Sequence, residues 1–268
     1  MGVMNITPDS FSDGGRFLRD RADVPRILDS AHAMLADGAA ILDIGGESTR
    51  PGAEGVSADE ELRRVMPVLE RLLELDTIIS LDTSKPAVAA QGLEAGVHLV
   101  NDVTGGRDPR MLEAVAASQA ALCIMHMQGE PRSMQTAPRY TDVVREVHAF
   151  LAAQAADCRR AGIADHALLL DPGFGFGKTL AHNLVLLRHL AAVRVDDLPL
   201  LAGLSRKTMV GTVTGRPVTQ RTAGSVAAAL LAVQHGADVV RVHDVAETAD
   251  ALNMLAALEG AEMEGDQA

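Results

Sequence analysis

The feature that most constrains this chain is an alternation that repeats eight times. Short runs of β-forming apolar residues, at 3–6, 40–44, 77–81, 98–100, 121–125, 167–170, 199–203 and 239–242, alternate with longer helix-patterned stretches. Those stretches occupy 24–37, 59–75, 86–95, 109–118, 141–161, 183–193, 222–235 and 246–258. Gly38, Gly96, Gly162 and Gly236 stand where the helical patterns end, as left-handed caps require. Asp59 and Thr141 are read as helix N-caps. Strands that alternate with helices must run parallel, and parallel strands are covered on both faces. Eight such units without a break in composition predict one α/β domain over 1–268, a closed (β/α)8 TIM barrel rather than an open doubly wound sheet. Residues from about 260 to 268 are expected to form a frayed acidic tail.

Every strand-like run exits into polar, charged or glycine-rich residues. The exits are Asn5, "DIGGESTRPG" at 43–52, Asp82-Thr83-Ser84-Lys85, Asn101-Asp102, His126, "DPGFGFGK" from Asp171, Ser205-Arg206-Lys207, and His243-Asp244. In a parallel barrel these exits share one mouth, where such folds place their chemistry. Capping explains one polar strand end but not eight in succession.

Composition removes several classes of function. The apolar share of 47% supports a full core and excludes disorder. Aromatics are only 2% and Trp is absent, so bases have few rings to stack on. A net charge of −12 argues against nucleic acid as a partner, so an anionic ligand needs a local cationic cluster. No apolar run approaches the ~18 residues of a membrane span. Cys123 and Cys158 lie in apolar or helical runs without paired spacing, as two buried thiols in a reducing cytoplasm would.

The "GFGFGK" stretch with Thr179 fails as a nucleotide P-loop, because Pro172 stands where the first glycine is required. Its glycines either bring backbone close to a ligand or let the loop turn. Asp82, Asn101 and Asp171 project inward from different strands. They either cap helices and bond one another, or form a set of acceptors for a flat, donor-rich heterocycle. Arg241 and His243 are two residues apart and share a face. They form an internal ion pair with an Asp, or join Ser205-Arg206-Lys207 in supplying positive charge and line an anion pocket beside Asn5. An Asn carbonyl there also suits a phosphate-bound Mg2+. His126 and His243 have no partners at zinc-ligand spacing.

The blocks "MGVMNITPDSFSDGG", "LDIGGESTRPGA", "SLDTSKP", "LVNDVTGG", "DPGFGFGKT", "GLSRKTMVG" and "VRVHDV" resemble, in order and over nearly the whole chain, the dihydropteroate synthase family. The resemblance implies a (β/α)8 barrel, usually a homodimer. It also implies condensation of 6-hydroxymethyl-7,8-dihydropterin diphosphate with 4-aminobenzoate to 7,8-dihydropteroate and diphosphate, with Mg2+. By the family's motifs, Asp82, Asn101, Asp171 and Lys207 match the pterin pocket. Asn5, Thr49, Arg241 and His243 match the diphosphate site, with Asn5 toward the metal. Arg50, Pro51, Phe176 and Ser205, with Thr49 and the loop at 7–15, match the aminobenzoate site and its covering loops. Asp82, Asp171, Lys207, Arg241 and His243 would carry catalysis. Family members usually have a short segment ahead of the first strand, whereas Met1 here stands almost inside it. That bears on closure of the barrel's lower end and leaves the mouth untouched. Two other functions would share the acidic pocket. A corrinoid-linked pterin methyltransferase would not need Arg241, His243 and Ser205, and a non-catalytic pterin-binding regulator would have lost part of the first two loops.

Overall fold

The computed structural model describes residues 1–6, 23–47, 55–129 and 134–261. Its strands are β1 (Gly2–Asn5), β2 (Ile41–Gly45), β3 (Ile78–Asp82), β4 (Leu99–Asp102), β5 (Ala121–Met125), β6 (Leu168–Asp171), β7 (Leu201–Ala202) and β8 (Val239–Val240). The helices are α1 (Val24–Ala36), α2 (Ala58–Leu72), α3 (Pro86–Ala95), α4 (Pro109–Ala116), α5 (Val143–Arg160), α6 (Leu180–Arg188), α7 (Thr208–Thr214), α8 (Thr222–Gln234) and α9 (Val245–Glu259).

Strands β1 to β6 pair in sequence order, all parallel, and β7 pairs with β8. A parallel bridge between Leu170 and Leu200 joins β6 to the β7 run. Another between Gly2 and Val242 joins the two ends of the series. Val3 donates to the Val242 carbonyl at 3.0 Å, Val242 donates to Met1 at 2.9 Å, and the Met1 amino group reaches the Val240 carbonyl at 3.0 Å. These contacts link the six-stranded and the two-stranded sheet on both sides, in the order that a ring of eight strands requires.

Period-two alternation sorts the strand side chains into two shells. One shell packs beneath the helices. Leu42, Ile44, Ile79 and Leu81 join Val65, Val68 and Leu72 of α2, while Leu122, Ile124, Leu168 and Leu170 meet Leu151 and Ala155 of α5. Truncating such a fully buried leucine to alanine typically costs about 2–5 kcal/mol. The other shell faces the barrel axis. Its lowest layer is apolar: Leu99, Cys123, Leu169 and Leu201, with Met1 and Val239 against them. Above that floor the inward residues become polar.

Several local expectations are corrected. Ser57, not Asp59, caps α2 and accepts from Glu60 N; Asp142, not Thr141, caps α5. In each case the capping side chain lies where its oxygen can reach the first-turn N–H groups. The stretch at 183–193 divides into α6, capped earlier by Thr179, and a short 3-10 turn at Leu190–Val193. Strands β7 and β8 are shorter than expected because side chains and isolated bridges take over their ladder; Leu200 N donates to Asp238 Oδ2 at 2.8 Å. Helix α7 has no counterpart in the sequence pattern. Its residues, TMVGTVT, are weak helix formers. Arg221 supports the segment, donating to the Arg206 carbonyl at 3.0 Å with its guanidinium where a side chain at Gly211 would sit. The expected left-handed glycines are all present, with φ between 96° and 106° at Gly38, Gly96, Gly162 and Gly236. The tail expected from about 260 falls largely outside the described residues.

Candidate functional site

Strand register brings the inward polar residues together. Asp43 lies beside Ser80, Asp82 beside Asn101, and Met125 beside Asp171. Asp43 is fully buried in the middle of β2. It accepts from Ser80 Oγ at 2.6 Å, Asn101 Nδ2 at 3.2 Å and Arg241 Nε at 2.6 Å. Arg241 also donates through Nη2 to Asp82 Oδ2 at 2.8 Å. One guanidinium from the end of β8 is thus held by carboxylates from β2 and β3. Of the two options open for Arg241, the internal ion pair is present.

Burial pushes the Asp82 carboxyl up to about 7, against the opposing pull of Arg241 and with Asp43 adding to the rise. Asp171 is also raised by burial, with the Lys207 charge and the Gly173 N–H drawing it back. Gly173 N donates to Asp171 Oδ1 at 2.7 Å. Neither carboxylate caps a helix, since α3 follows Lys85 and α6 follows Thr179. Two acceptor groups and an amide therefore face the axis, and burial makes each sensitive to what fills the space above it.

Lys207 reaches the same region from the β7 exit. Its Nζ contacts the Phe174 carbonyl and lies 4.7 Å from the centre of the Phe176 ring. Burial lowers its ammonium to about 8, while Asp171 pulls the other way. Phe176 packs on a small cluster of Val103, Met125, Met127 and Met134, a polarizable wall suited to a flat ring. Beside Lys207, Ser205 Oγ accepts from His243 N at 3.1 Å and meets His243 Nδ1 at 3.0 Å. Arg206 points elsewhere. It takes the left-handed conformation (φ 57°), and its guanidinium pairs with Asp244. That turn sends Ser205 and Lys207 to the mouth and Arg206 away from it. The expectation that all of Ser205-Arg206-Lys207 serve as a cationic cluster is corrected accordingly.

Asn5 is half-buried at the end of β1, next to β8 in the ring. Among the described residues no three His, Cys, Asp or Glu side chains gather as a metal cage. A lone amide oxygen fits a hard cation that keeps its waters and takes its other ligands from phosphate. Thr49, Arg50 and Pro51, and the loop at 7–15, lie outside the described residues.

The glycine-rich loop after β6 binds its own neighbours. Gly173 and Gly177 have φ of 67° and 62°, and a Cβ on either would overlap the backbone carbonyl of His126 or Gln128. The glycines let one loop backbone lie directly on another. Sequence reasoning passed over Asp43 and Lys178. For Asp43 the signal was present: a charged residue at an inward position of an otherwise apolar strand. For Lys178 there was none beyond the failed P-loop match.

Residues 1–243 match the family described as "Pterin binding enzyme". The chain is 47% identical over 258 residues to dihydropteroate synthase of Escherichia coli (strain K12), covering 96% of this chain and 90% of that one. It is similar in structure to Xanthomonas albilineans dihydropteroate synthase with 4-aminobenzoic acid, with TM-score 0.90, 48% identity and coverage of 97% and 93%. Burkholderia cenocepacia dihydropteroate synthase complexed with 7,8-dihydropteroate matches with TM-score 0.87, 47% identity and coverage of 96% and 90%.

Proposed function

The chain belongs to the dihydropteroate synthase family of pterin-binding enzymes, and on that premise we propose how its side chains divide the reaction. The reaction condenses 6-hydroxymethyl-7,8-dihydropterin diphosphate with 4-aminobenzoate, giving 7,8-dihydropteroate and diphosphate in folate synthesis. One observation carries the division. Acceptors stand on β3, β4 and β6, while Arg241 and His243 stand at the end of β8.

In this account Asp171, Asp82 and Asn101 pair with the amino and ring N–H groups of the pterin, with Lys207 beside them. A carboxylate can take two parallel N–H bonds from such an edge, and a dry site built that way rejects rings lacking it. His243, Asn5, Thr49 and Arg241 hold the diphosphate. Phe176, Ser205, Arg50 and Pro51 border the aminobenzoate. No protein nucleophile is required. As the C–O bond at the pterin methylene breaks, negative charge grows on the diphosphate and positive charge on the methylene and ring. The carboxylates stabilise the second and the β8 cations the first. The amine of 4-aminobenzoate then attacks the methylene carbon, and its proton is lost to solvent. Mg2+ held by Asn5 and the substrate's phosphates would neutralise charge on the leaving group.

Arg241 has two tasks in this scheme. Without ligand it is the counter-ion of Asp43 and Asp82. With ligand its remaining N–H groups face the diphosphate. Identity to synthases over 96% of the chain sets aside the methyltransferase alternative.

We also propose a homodimer. Leu184 and Val185 of α6, Val213 of α7, Val218 in the 3-10 turn before α8, and Leu231 of α8 are exposed on neighbouring elements, an apolar face that a second copy would cover. No helix among the described residues is long and apolar enough to cross a membrane. Free, buried Cys123 and Cys158 suit a cytoplasmic setting.

The test is diphosphate release from purified protein. Release should require the pterin diphosphate, 4-aminobenzoate and Mg2+ together. Equal release without 4-aminobenzoate would reduce the activity to hydrolysis and contradict the scheme.

A further inference from the structure

We propose that Lys178 is a positioning residue that seats the β6–α6 loop on the end of β5, and so fixes Phe176 at the aminobenzoate side of the mouth. Lys178 is only 3% exposed, and it is the one charged residue of the failed P-loop motif. Its Nζ lies 2.9 Å from His126 Nδ1, 2.8 Å from the Gly173 carbonyl and 3.1 Å from the Phe176 carbonyl; the His126 carbonyl is 3.4 Å away. An ammonium has three N–H donors and no acceptor. Its donors match the imidazole nitrogen and the two loop carbonyls.

The need for a donor follows from the glycine contacts, and Lys178 supplies it although burial lowers its ammonium to about 7, against the pull of Asp171. With no Cβ at Gly173 or Gly177, the loop backbone lies against the backbone of His126 and Gln128. Acceptors of two chain segments therefore converge on one buried point. Without a donor between them they repel; the Gly173 carbonyl keeps the Phe176 N–H at 3.1 Å, while the Phe176 carbonyl and His126 Nδ1 lose the Lys178 donor. The imidazole must accept rather than donate. Burial, with the Lys178 charge adding to it, holds His126 down to about 3 and the ring neutral; accepting at Nδ1 requires the tautomer with its proton on Nε2. Phe150 supports the ring edge-on at 5.0 Å. Tyr140 adds a neighbouring tie, its hydroxyl donating to the Gly177 carbonyl at 2.9 Å.

The same cation reaches both halves of the site. It bonds the carbonyl of Gly173, whose N–H holds Asp171, and the carbonyl of Phe176, whose ring lies under Lys207. Asp171 is also fixed by its strand, whereas the Phe176 backbone is held by the loop alone and only its ring rests on Val103, Met125, Met127 and Met134. Loss of Lys178 should therefore fall mainly on aminobenzoate. The inference rests on the proposal that Phe176 borders that substrate.

The experiment is steady-state kinetics on K178M, H126F, the double variant and F176A, with melting temperatures measured alongside. K178M should raise KM for 4-aminobenzoate about 10-fold or more, as expected when a charged hydrogen-bond donor is removed. KM for the pterin diphosphate should change about threefold or less. H126F should shift the same KM in the same direction, and the double variant should cost less than the product of the single effects, because the two act as a unit. Should K178M not fold, H126F and its selective KM effect decide the matter. An unchanged aminobenzoate KM in folded K178M or in H126F, or an equal loss in both KM values, would leave Lys178 a structural residue only. F176A separates the two failures. If it raises the aminobenzoate KM while K178M does not, the site assignment stands and the positioning role falls. If F176A leaves that KM unchanged, the assignment of Phe176 is wrong and the role of Lys178 falls with it.

Discussion

At Asp82 a buried carboxyl is raised to about 7, chiefly by burial, from an ordinary value of 3.8. The folded protein then binds a proton that the unfolded chain releases between about pH 4 and 7. The group's contribution to stability is complete below about pH 4 and is lost as pH rises through 7. Urea denaturation should therefore show the wild type losing roughly 1–3 kcal/mol relative to Asp82→Asn between pH 4 and 8. A pH-independent difference would mean that Asp82 stays ionised beside Arg241. Asp171→Asn presents an amide donor to a donor edge and should weaken pterin binding by about 2–4 kcal/mol in calorimetry. Unchanged affinity would remove Asp171 from that role. Asp82, Asn101 and Asp171 were legible in the sequence because each ends a strand-like run. The second carboxylate on Arg241 was not, because Asp43 lies 198 residues away in the chain and only the pairing of the first and last strands brings the two together.

At the level of elements, glycines that look alike in sequence do different work. Gly162 ends α5 with open space around it, and Gly173 lies on the His126 carbonyl. Gly162→Ala should cost only the left-handed backbone, about 1–2 kcal/mol. Gly173→Ala adds a steric overlap and should cost about 3 kcal/mol or more. Denaturation midpoints compare the two directly, and equal costs would mean the β6–α6 loop is not seated as described. Helices with a strong apolar stripe and a cap were legible to within a few residues. Helix α7 was not, since its formation depends on Arg221 packing over Gly211, a tertiary contact that local propensity does not encode.

On the scale of the whole molecule, eight alternations define the ring, and the ring places the polar strand ends at one mouth. Period and count were enough for that. They were not enough for the last two strands, where bridges at Leu200 and Val242 replace regular ladder. The outer face of α6, α7 and α8 carries the proposed dimer contact. Leu231→Glu with Val213→Asp should halve the mass seen by sedimentation, and an unchanged mass would place the contact elsewhere. The central claim is that the mouth is divided, with the pterin ring read by one set of strands and the diphosphate by β8. Arg241 is a poor probe of it, because removing the guanidinium also strands Asp43 and Asp82. His243 and Asp171 are better. Calorimetry on His243→Ala and Asp171→Asn, each with the pterin diphosphate and with the pterin alcohol that lacks it, tests the claim directly. His243→Ala should lose about 10–100-fold in affinity for the diphosphate form alone, and Asp171→Asn should weaken both ligands equally. Equal loss on both ligands with His243→Ala, or a loss confined to the diphosphate form with Asp171→Asn, would contradict the division.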